Sequence, residues 1–198
     1  MVTVVLCYAI FRINQTQIWQ SLGESGRTGL GAASALVFAF PMVQVFINSK
    51  SESLALMPIV LADGVSTLFG SLWPLIAPTI GGLGAFIAGS NTISNMLFEF
   101  FQFSMAQKIG TTEHIVVTLQ ALGGAAGNMI CVHSVVFASA TLGLLGKEGS
   151  VVRKTLAPMI GYVLFAGSLG LVMIGDSGIT LGAIFVAVFA VLIVWLFF

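Results

Sequence analysis

Long apolar stretches separated by short polar segments run through the whole sequence. Several of them reach the roughly 20 residues that a helix needs to cross a bilayer. They predict plain membrane-spanning helices over residues 30–48, 54–72, 156–174 and 179–198. Pro41 predicts a kink in the first of these helices. The more polar segment from Arg12 to Gly29 is predicted to be a surface loop.

Two further apolar stretches, residues 73–107 and 114–145, are interrupted by glycine and polar residues. The first break is predicted around Gly89 to Asn91, and the second around Gly123 to Asn128. Unpaired backbone groups at membrane depth are costly, so such breaks survive only inside protein or beside a wet cavity. Secondary transporters use broken helices of this kind as substrate sites. The pattern alone leaves open whether these segments cross the bilayer or turn back as hairpins.

The composition supports a membrane protein, because 58% of the 198 residues are hydrophobic and only 7% are charged. Soluble domains carry about a quarter charged residues. The sequence therefore predicts an all-α, polytopic membrane protein with a single transmembrane domain over residues 1–198. It has no basic patch for nucleic acid. Cys7 and Cys131 lack metal or redox spacing and are predicted to be small buried residues. We expect no metal, no cofactor and no enzymatic activity.

Polar side chains cluster at the first break. Asn91, Asn95, Glu99 and Gln102 recur at helical spacing, which predicts one polar stripe on a helix. Ser90 and Asn91 stand at the predicted start of that helix, where side chains and free N–H groups can hold a carboxylate.

The second break carries a similar set of polar residues. Gln120, Gly124 and Asn128 share a predicted helix face, and His133 follows about one turn later. Asn95, Gln120 or Asn128 could hydrogen-bond a substrate hydroxyl group. The competing interpretation for Gly123 and its neighbours is close helix packing without a binding role.

Three ionisable side chains in apolar surroundings, Glu99, His133 and Asp63, are candidates for carrying a proton. Ionisable groups deep in a bilayer are costly and usually face a transport pathway. The alternative for Glu99 and Asp63 is a position near the interface, where the carboxyl group reaches water. The alternative for His133 is a purely structural role.

Two long motifs carry a family resemblance: IGGLGAFIAGSNTISNMLFEFFQF (Ile80 to Phe103) and LQALGGAAGNMICVHSVVFASATLGLLGKEGSVVRKT (Leu119 to Thr155). A third stretch, FAFPMVQVFINS (Phe38 to Ser49), carries the resemblance more weakly. At these residues the sequence resembles the L-lactate permease family of bacterial secondary transporters. The similarity extends from about Arg27 to Gly170. Family members are much longer, so the chain resembles their C-terminal portion.

The resemblance implies secondary active transport of L-lactate, or of glycolate or a related 2-hydroxy monocarboxylate, by proton symport in the bacterial cytoplasmic (inner) membrane. The implied partners are a small 2-hydroxy acid anion, a proton and the lipid bilayer. Alternating access needs two structural halves, so an N-terminal half chain or a homo-oligomer is a further expected partner. The residues that the matching motifs assign to the site are Gly89, Ser90, Asn91, Thr92, Ser94, Asn95, Gln120, Gly123, Gly124, Gly127, Asn128 and His133.

Two positions depart from the family pattern. Ser134 stands where many relatives have Asn, and Glu99 stands where a small or apolar residue is expected. The first departure weakens a shared role for His133 and its neighbour. The second makes proton coupling through Glu99 either specific to this chain or wrong.

Other functions remain open at this point. The chain could transport another organic anion, including by sodium coupling, or could be a membrane fragment that is non-functional without a partner. A more remote alternative is an intramembrane serine protease that uses Ser90 and His133. That chemistry needs the two side chains within hydrogen-bond reach and an oxyanion hole.

Overall fold

The computed structural model describes residues 14–50, 55–144, 146–174, 182–184 and 186–188. Among these residues it contains helices and no strand. The helices are α1 (Gln15–Asn48), α2 (Met57–Phe69), α3 (Trp73–Ala88), α4 (Asn91–Ile109), α5 (Glu113–Gly127), α6 (Val132–Thr141) and α7 (Glu148–Ile174). Residues 182–184 and 186–188 are also helical. Most of the predicted span over 179–198 lies outside the described residues.

The chain divides into two compact units, one up to Pro41 and one from Met42 onward. The described part of the first unit is helical from Gln15, within α1. The predicted surface loop from Arg12 to Gly29 is therefore wrong from Gln15 on. Its polar residues include good helix formers such as Gln and Glu, and the segment has no proline. Polarity alone was a poor reason to expect a loop.

Within the described residues, three stretches are long and apolar enough to cross a membrane: Met57–Ala88, Glu113–Thr141 and Glu148–Ile174. They contain 32, 29 and 27 residues. At about 1.5 Å per residue, each is longer than the roughly 30 Å hydrocarbon core of a bilayer. Large apolar side chains on these stretches are exposed, including Ile87 at 81% and Leu68 at 76%. The prediction of an all-α, polytopic membrane protein is confirmed.

The first stretch contains a 3₁₀ turn, Gly70–Leu72, that joins α2 to α3. Sequence reasoning expected a plain span over 54–72 and a separate interrupted segment from residue 73 onward. In the structure, α2 ends at Phe69 and the apolar stretch continues to Ala88. Pro74, at the start of α3, fits this local change because proline is favoured in the first turn of a helix.

A chain of buried side-chain hydrogen bonds, here called the amide ladder, ties α3, α4 and α5 together. Trp73 Nε1 donates to Gln102 Oε1 at 2.8 Å, and Gln102 Nε2 donates to Gln120 Oε1 at 2.9 Å. Gln120 Nε2 donates to Ser94 Oγ at 3.2 Å, and Ser94 Oγ donates to the Gly81 carbonyl at 2.9 Å. The four side chains are at most 1% exposed. Trp73 at the start of α3 pairs with Gln102 late in α4, whereas Gly81 further along α3 pairs with Ser94 early in α4, so the two helices run antiparallel.

Helices α3 and α5 run parallel and touch at their backbones. A Cβ atom on Gly123 would collide with the Pro78 carbonyl, and one on Gly127 would collide with the Gly82 carbonyl. Small residues permit such close approach between membrane helices. Later residues of α3 contact later residues of α5, so the two helices end side by side.

Helix α7 returns antiparallel to this pair. Gly167 lies against Leu75, and Gly82 lies against Met159, so the contacts run in opposite directions along α3 and α7. A core cluster that includes Trp73 and Phe101 fills the bundle, and these two rings meet edge to face at 5.5 Å. The bundle thereby fixes the ends of α3 and α5, where the predicted breaks lie.

The amide ladder gives a direct stability prediction. Gln120→Leu nearly preserves side-chain volume but removes one of the two acceptors of Gln102 Nε2, which keeps only its bond to the Ala77 carbonyl at 3.2 Å. We expect a loss of about 2 kcal/mol, since each unpaired buried polar group costs roughly 1–3 kcal/mol. The measurement is the thermal unfolding midpoint of the purified protein in detergent, which should fall. Thr118→Val is the control, because the Thr118 hydroxyl is exposed and bonds only to its own helix at 2.7 Å. Equal midpoints for the two variants would contradict the ladder's role.

Candidate functional site

Two breaks in the helices meet at one end of the bundle. Break 1 is Gly89–Ser90, between α3 and α4, and break 2 is residues 128–131, between α5 and α6. Cys131 Sγ donates to the Gly89 carbonyl at 3.3 Å. A Cβ atom on Gly89 would lie 2.5 Å from His133 Nδ1. The two interrupted segments, separated by more than 30 residues in sequence, are therefore in contact.

Break 1 lies where the sequence predicted a break, and in the structure it is a tight reversal between α3 and α4. Gly89 adopts the left-handed conformation with φ 71°, which disfavours residues with a Cβ atom. Ser90 is extended and caps α4, because its Oγ accepts a hydrogen bond from the Ile93 N–H at 3.5 Å. The first interrupted segment thus folds as an antiparallel helical hairpin.

Break 2 lies slightly later than predicted. The expected interruption began at Gly123, but α5 continues through Gly127 and the irregular residues are 128–131. The glycines from 123 to 127 stay helical because they pack against α3, and close packing explains them without a local break. The segment then continues as α6, and the whole stretch Glu113–Thr141 is long enough to span a membrane.

Four helix ends surround the breaks: the C-terminal ends of α3 and α5, and the N-terminal ends of α4 and α6. The first N–H groups of a helix have no partner within it and carry partial positive charge. Ser90 caps one of these groups in α4, whereas Cys131 makes no side-chain cap for α6. The C-terminal ends of α3 and α5 carry the opposite partial charge, so an anion is favoured only close to the free N–H groups of the two helix starts.

Asn91 and Asn95, one turn apart on α4, carry buried side-chain oxygens that accept no hydrogen bond. Both oxygens face Gly124 on α5: a Cβ atom there would collide with Asn91 Oδ1 and lie 3.5 Å from Asn95 Oδ1. Buried acceptors without donors are uncommon in proteins. These two oxygens therefore mark a position beside break 1 where a hydrogen-bond donor is missing.

Three of the predicted site residues are engaged inside the bundle. Ser94 and Gln120 belong to the amide ladder, and both are almost completely buried. Gly123 lies against the Pro78 carbonyl. These contacts give the three residues a structural role, because they hold in place the helices that lead to the breaks.

Thr92 and Asn128 lie at the breaks with more open surroundings. Thr92 is exposed in the first turn of α4. Asn128 is half-buried at the end of α5, and its N–H donates to the Ala125 carbonyl at 3.3 Å. Both have side chains free of the amide ladder.

The three proton-carrying candidates fall in three different places. His133 lies against Gly89 at the breaks. Asp63 is half-exposed and forms an ion pair with Lys108. Glu99 is exposed and lines a separate cavity of about 510 Å³, together with Ile47, Asn48, Met96, Phe100, Phe103, His114 and Val117.

The predicted polar stripe on α4 is thus divided. Four residues turn a helix by roughly 400°, so each such step drifts by about 40° around the axis. Asn91 and Asn95 face α5, Gln102 lies on the same side within the amide ladder, and Glu99 has turned away.

Sequence reasoning missed the structural contacts of Trp73 and Cys131. Trp73 begins the amide ladder, and an indole N–H in an apolar segment is a signal that a buried acceptor is nearby. Cys131 is buried, in agreement with its prediction as a small buried residue, but it also joins the two breaks. Nothing in its spacing indicated that contact.

The helical fold, the three candidate spans and the paired breaks define a polytopic membrane protein with broken helices of the kind found in secondary transporters. A family model described as L-lactate permease matches residues 1–174. The chain belongs to the L-lactate permease family.

Individual relatives agree with this assignment. A protein from Haemophilus influenzae is 32% identical over 165 residues, which cover 83% of this chain and 30% of that protein. The L-lactate permease of Escherichia coli K12 is 28% identical, with coverage of 83% and 30%. The glycolate permease of the same strain is 29% identical, with coverage of 76% and 27%. The chain therefore spans about 30% of the length of these relatives. No solved structure matches it significantly.

The contact between the breaks can be tested through Gly89. In Gly89→Ala the new methyl group meets the His133 ring and the left-handed backbone costs about 1–2 kcal/mol. We expect break 1 to shift away from Cys131, so that a maleimide reacts with Cys131 several-fold faster in a Cys7→Ala background.

Gly110→Ala is the matched control for this experiment. Gly110 also has a left-handed backbone, with φ 68°, but no atom lies within 4 Å of the place that a methyl group would take there. Its substitution should leave the labelling of Cys131 unchanged. Equal labelling rates in the two variants would show that the breaks do not depend on each other.

Proposed function

We propose that this chain forms the substrate-binding part of a secondary transporter for L-lactate or a related 2-hydroxy monocarboxylate such as glycolate. The membrane is the bacterial cytoplasmic (inner) membrane. One observation carries the proposal: breaks 1 and 2 touch through Cys131 and Gly89, at the ends of helices that can span a bilayer. Relatives named L-lactate permease and glycolate permease support the substrate class.

The carboxylate of the substrate binds at the start of α4. The N–H groups of Asn91 and Thr92 lie in the first turn, where no carbonyl of the same helix can serve them. Residues 85–98 and 119–136 contain no Lys or Arg, so helix N-termini and neutral amides provide the attraction. Neutral groups avoid the desolvation cost of a buried cation that is empty between transport cycles.

Transport is coupled to a proton. The two segments that form the breaks contain no Lys or Arg to balance a carboxylate, and a co-transported proton makes the moving complex neutral. His133 is the favoured carrier, because its ring lies against Gly89. Glu99 is a second carrier candidate in its own cavity, and Asp63 is disfavoured by its ion pair with Lys108.

Alternating access requires a second structural half. The curated relatives are about three times as long as the segments that match this chain. This supports a second half formed by sequence that corresponds to the rest of those permeases. A second copy of this chain is the other way to supply that half.

The serine protease alternative gains no support from the geometry. Ser90 Oγ serves as the cap of α4, and within the described residues no hydrogen bond joins it to His133. A sodium-coupled organic anion transporter shares the architecture and differs in its coupling ion, so transport measurements separate the two.

The proton-coupled proposal is tested with the permease that contains this chain, reconstituted into proteoliposomes. Uptake of labelled L-lactate should rise several-fold when the outside is made acidic, because the inward proton gradient drives symport. In His133→Ala this stimulation should be lost.

Glu113→Gln is the control, since Glu113 is a titratable residue at the start of α5, outside both breaks and outside the lining of the Glu99 cavity. Its uptake should keep the response to the gradient. Lactate uptake that ignores the pH gradient and follows a sodium gradient would rule out proton symport. Absence of lactate uptake in the unmodified permease would remove the proposed function itself.

A further inference from the structure

The oxygens of Asn91 and Asn95 need a donor that the protein does not supply. Each Oδ1 atom is buried, and neither accepts a hydrogen bond from any described residue. Each such atom costs roughly 1–3 kcal/mol relative to a paired one. A ligand that brings a donor to this position gains part of that free energy on binding.

The chemistry of the ligand group follows from the chemistry of the amides. An amide oxygen is an acceptor, and so are both oxygens of a carboxylate. The carboxylate of the substrate therefore cannot satisfy Asn91 Oδ1 and Asn95 Oδ1. A hydroxyl group can, since it donates one hydrogen bond and can be shared between two nearby acceptors.

The position of the two amides fits the group next to a carboxylate. Asn91 is the first residue of α4, where the proposed function has the carboxylate, and Asn95 follows one turn inward. In a 2-hydroxy acid the hydroxyl sits on the carbon bonded to the carboxylate. We infer that Asn91 and Asn95 accept a hydrogen bond from the 2-hydroxyl group and so determine specificity for 2-hydroxy acids. This inference rests on the proposed function.

Gly124 belongs to the same specificity element. A Cβ atom at this position would collide with Asn91 Oδ1 and touch Asn95 Oδ1 at 3.5 Å. Only glycine leaves room for both amides against α5. The oxygens are closed to solvent here, and they reach a ligand by rotation about χ2, which is a soft torsion.

The amides of Asn91 and Asn95 differ from the glutamine amides of the amide ladder in their hydrogen bonding. Gln102 and Gln120 donate and accept within the protein, at 2.9 Å from each other. They have no acceptor left for a ligand of the kind that Asn91 and Asn95 offer. Among the buried amides, the asparagine pair is therefore the better candidate for accepting a hydrogen bond from the substrate hydroxyl group.

The test compares L-lactate with propionate, which has the same carbon skeleton and carboxylate but no hydroxyl. Competition against labelled L-lactate is measured in counterflow with proteoliposomes of the permease that contains this chain. We expect propionate to compete at least tenfold more weakly than L-lactate. In Asn95→Leu the affinity for L-lactate should fall about tenfold while that for propionate stays the same, so the discrimination disappears.

Two further variants make the result specific. Gln107→Leu is the matched control, because Gln107 is an exposed amide at the C-terminal end of α4, at the opposite end of that helix from break 1. It should keep full discrimination. Gly124→Ala should lose discrimination, as Asn95→Leu does, because the methyl group displaces Asn91 Oδ1. Elution as a single symmetric peak in size exclusion confirms that each variant is folded.

The outcomes separate the two proposals. An unmodified permease that takes up L-lactate but binds propionate equally well overturns the hydroxyl inference and leaves the proposed function standing. Full discrimination in a folded Asn95→Leu or Gly124→Ala variant also overturns it. Sodium dependence that Asn95→Leu abolishes, with discrimination intact, would assign the two oxygens to a cation. Absence of lactate transport removes both proposals.

Discussion

A polar group in a dry bundle must find its partner inside the protein, and this constraint organises the unit from Met42 onward. Trp73, Gln102, Gln120 and Ser94 satisfy one another in sequence and so fix the register of α3, α4 and α5. Once the register is set, the glycines of α3 and α5 bring the two helices into backbone contact. The breaks meet because the ladder and this contact hold the ends of those helices together.

The division between satisfied and unsatisfied amides gives the bundle two kinds of polar residue. The ladder amides are paired on both sides and resist rotation, since turning one would leave others unpaired. The asparagines at the start of α4 have oxygens that nothing in the described part of the protein serves. Similar residue types thus act in one place as fixed connectors and in another carry oxygens that remain able to accept a hydrogen bond.

The sequence predicted the helical membrane fold, a break around Gly89 to Asn91 and a second break around Gly123 to Asn128, but not that the first break is a reversal. These features depend on local signals: long apolar runs, a glycine followed by a capping serine, and polar residues next to glycines. It could not predict that the two breaks touch, because that contact depends on the long-range pairing of Gln102 with Gln120 and of Gly123 with Pro78. The roles of Gln120 and Ser94 were ambiguous for the same reason, since a buried amide looks alike in sequence whether its partner is a protein group or a ligand.

Charged residues are absent from the two segments that form the breaks: residues 85–98 and 119–136 include no Asp, Glu, Lys or Arg. Moving an elementary charge across a membrane potential changes the energy by about 2.3 kcal/mol per 100 mV. A site built from dipoles and amides carries no such charge when it is empty and its histidine is neutral. The two segments that form the breaks therefore contribute no side-chain charge on which the membrane voltage could act, as long as His133 is neutral.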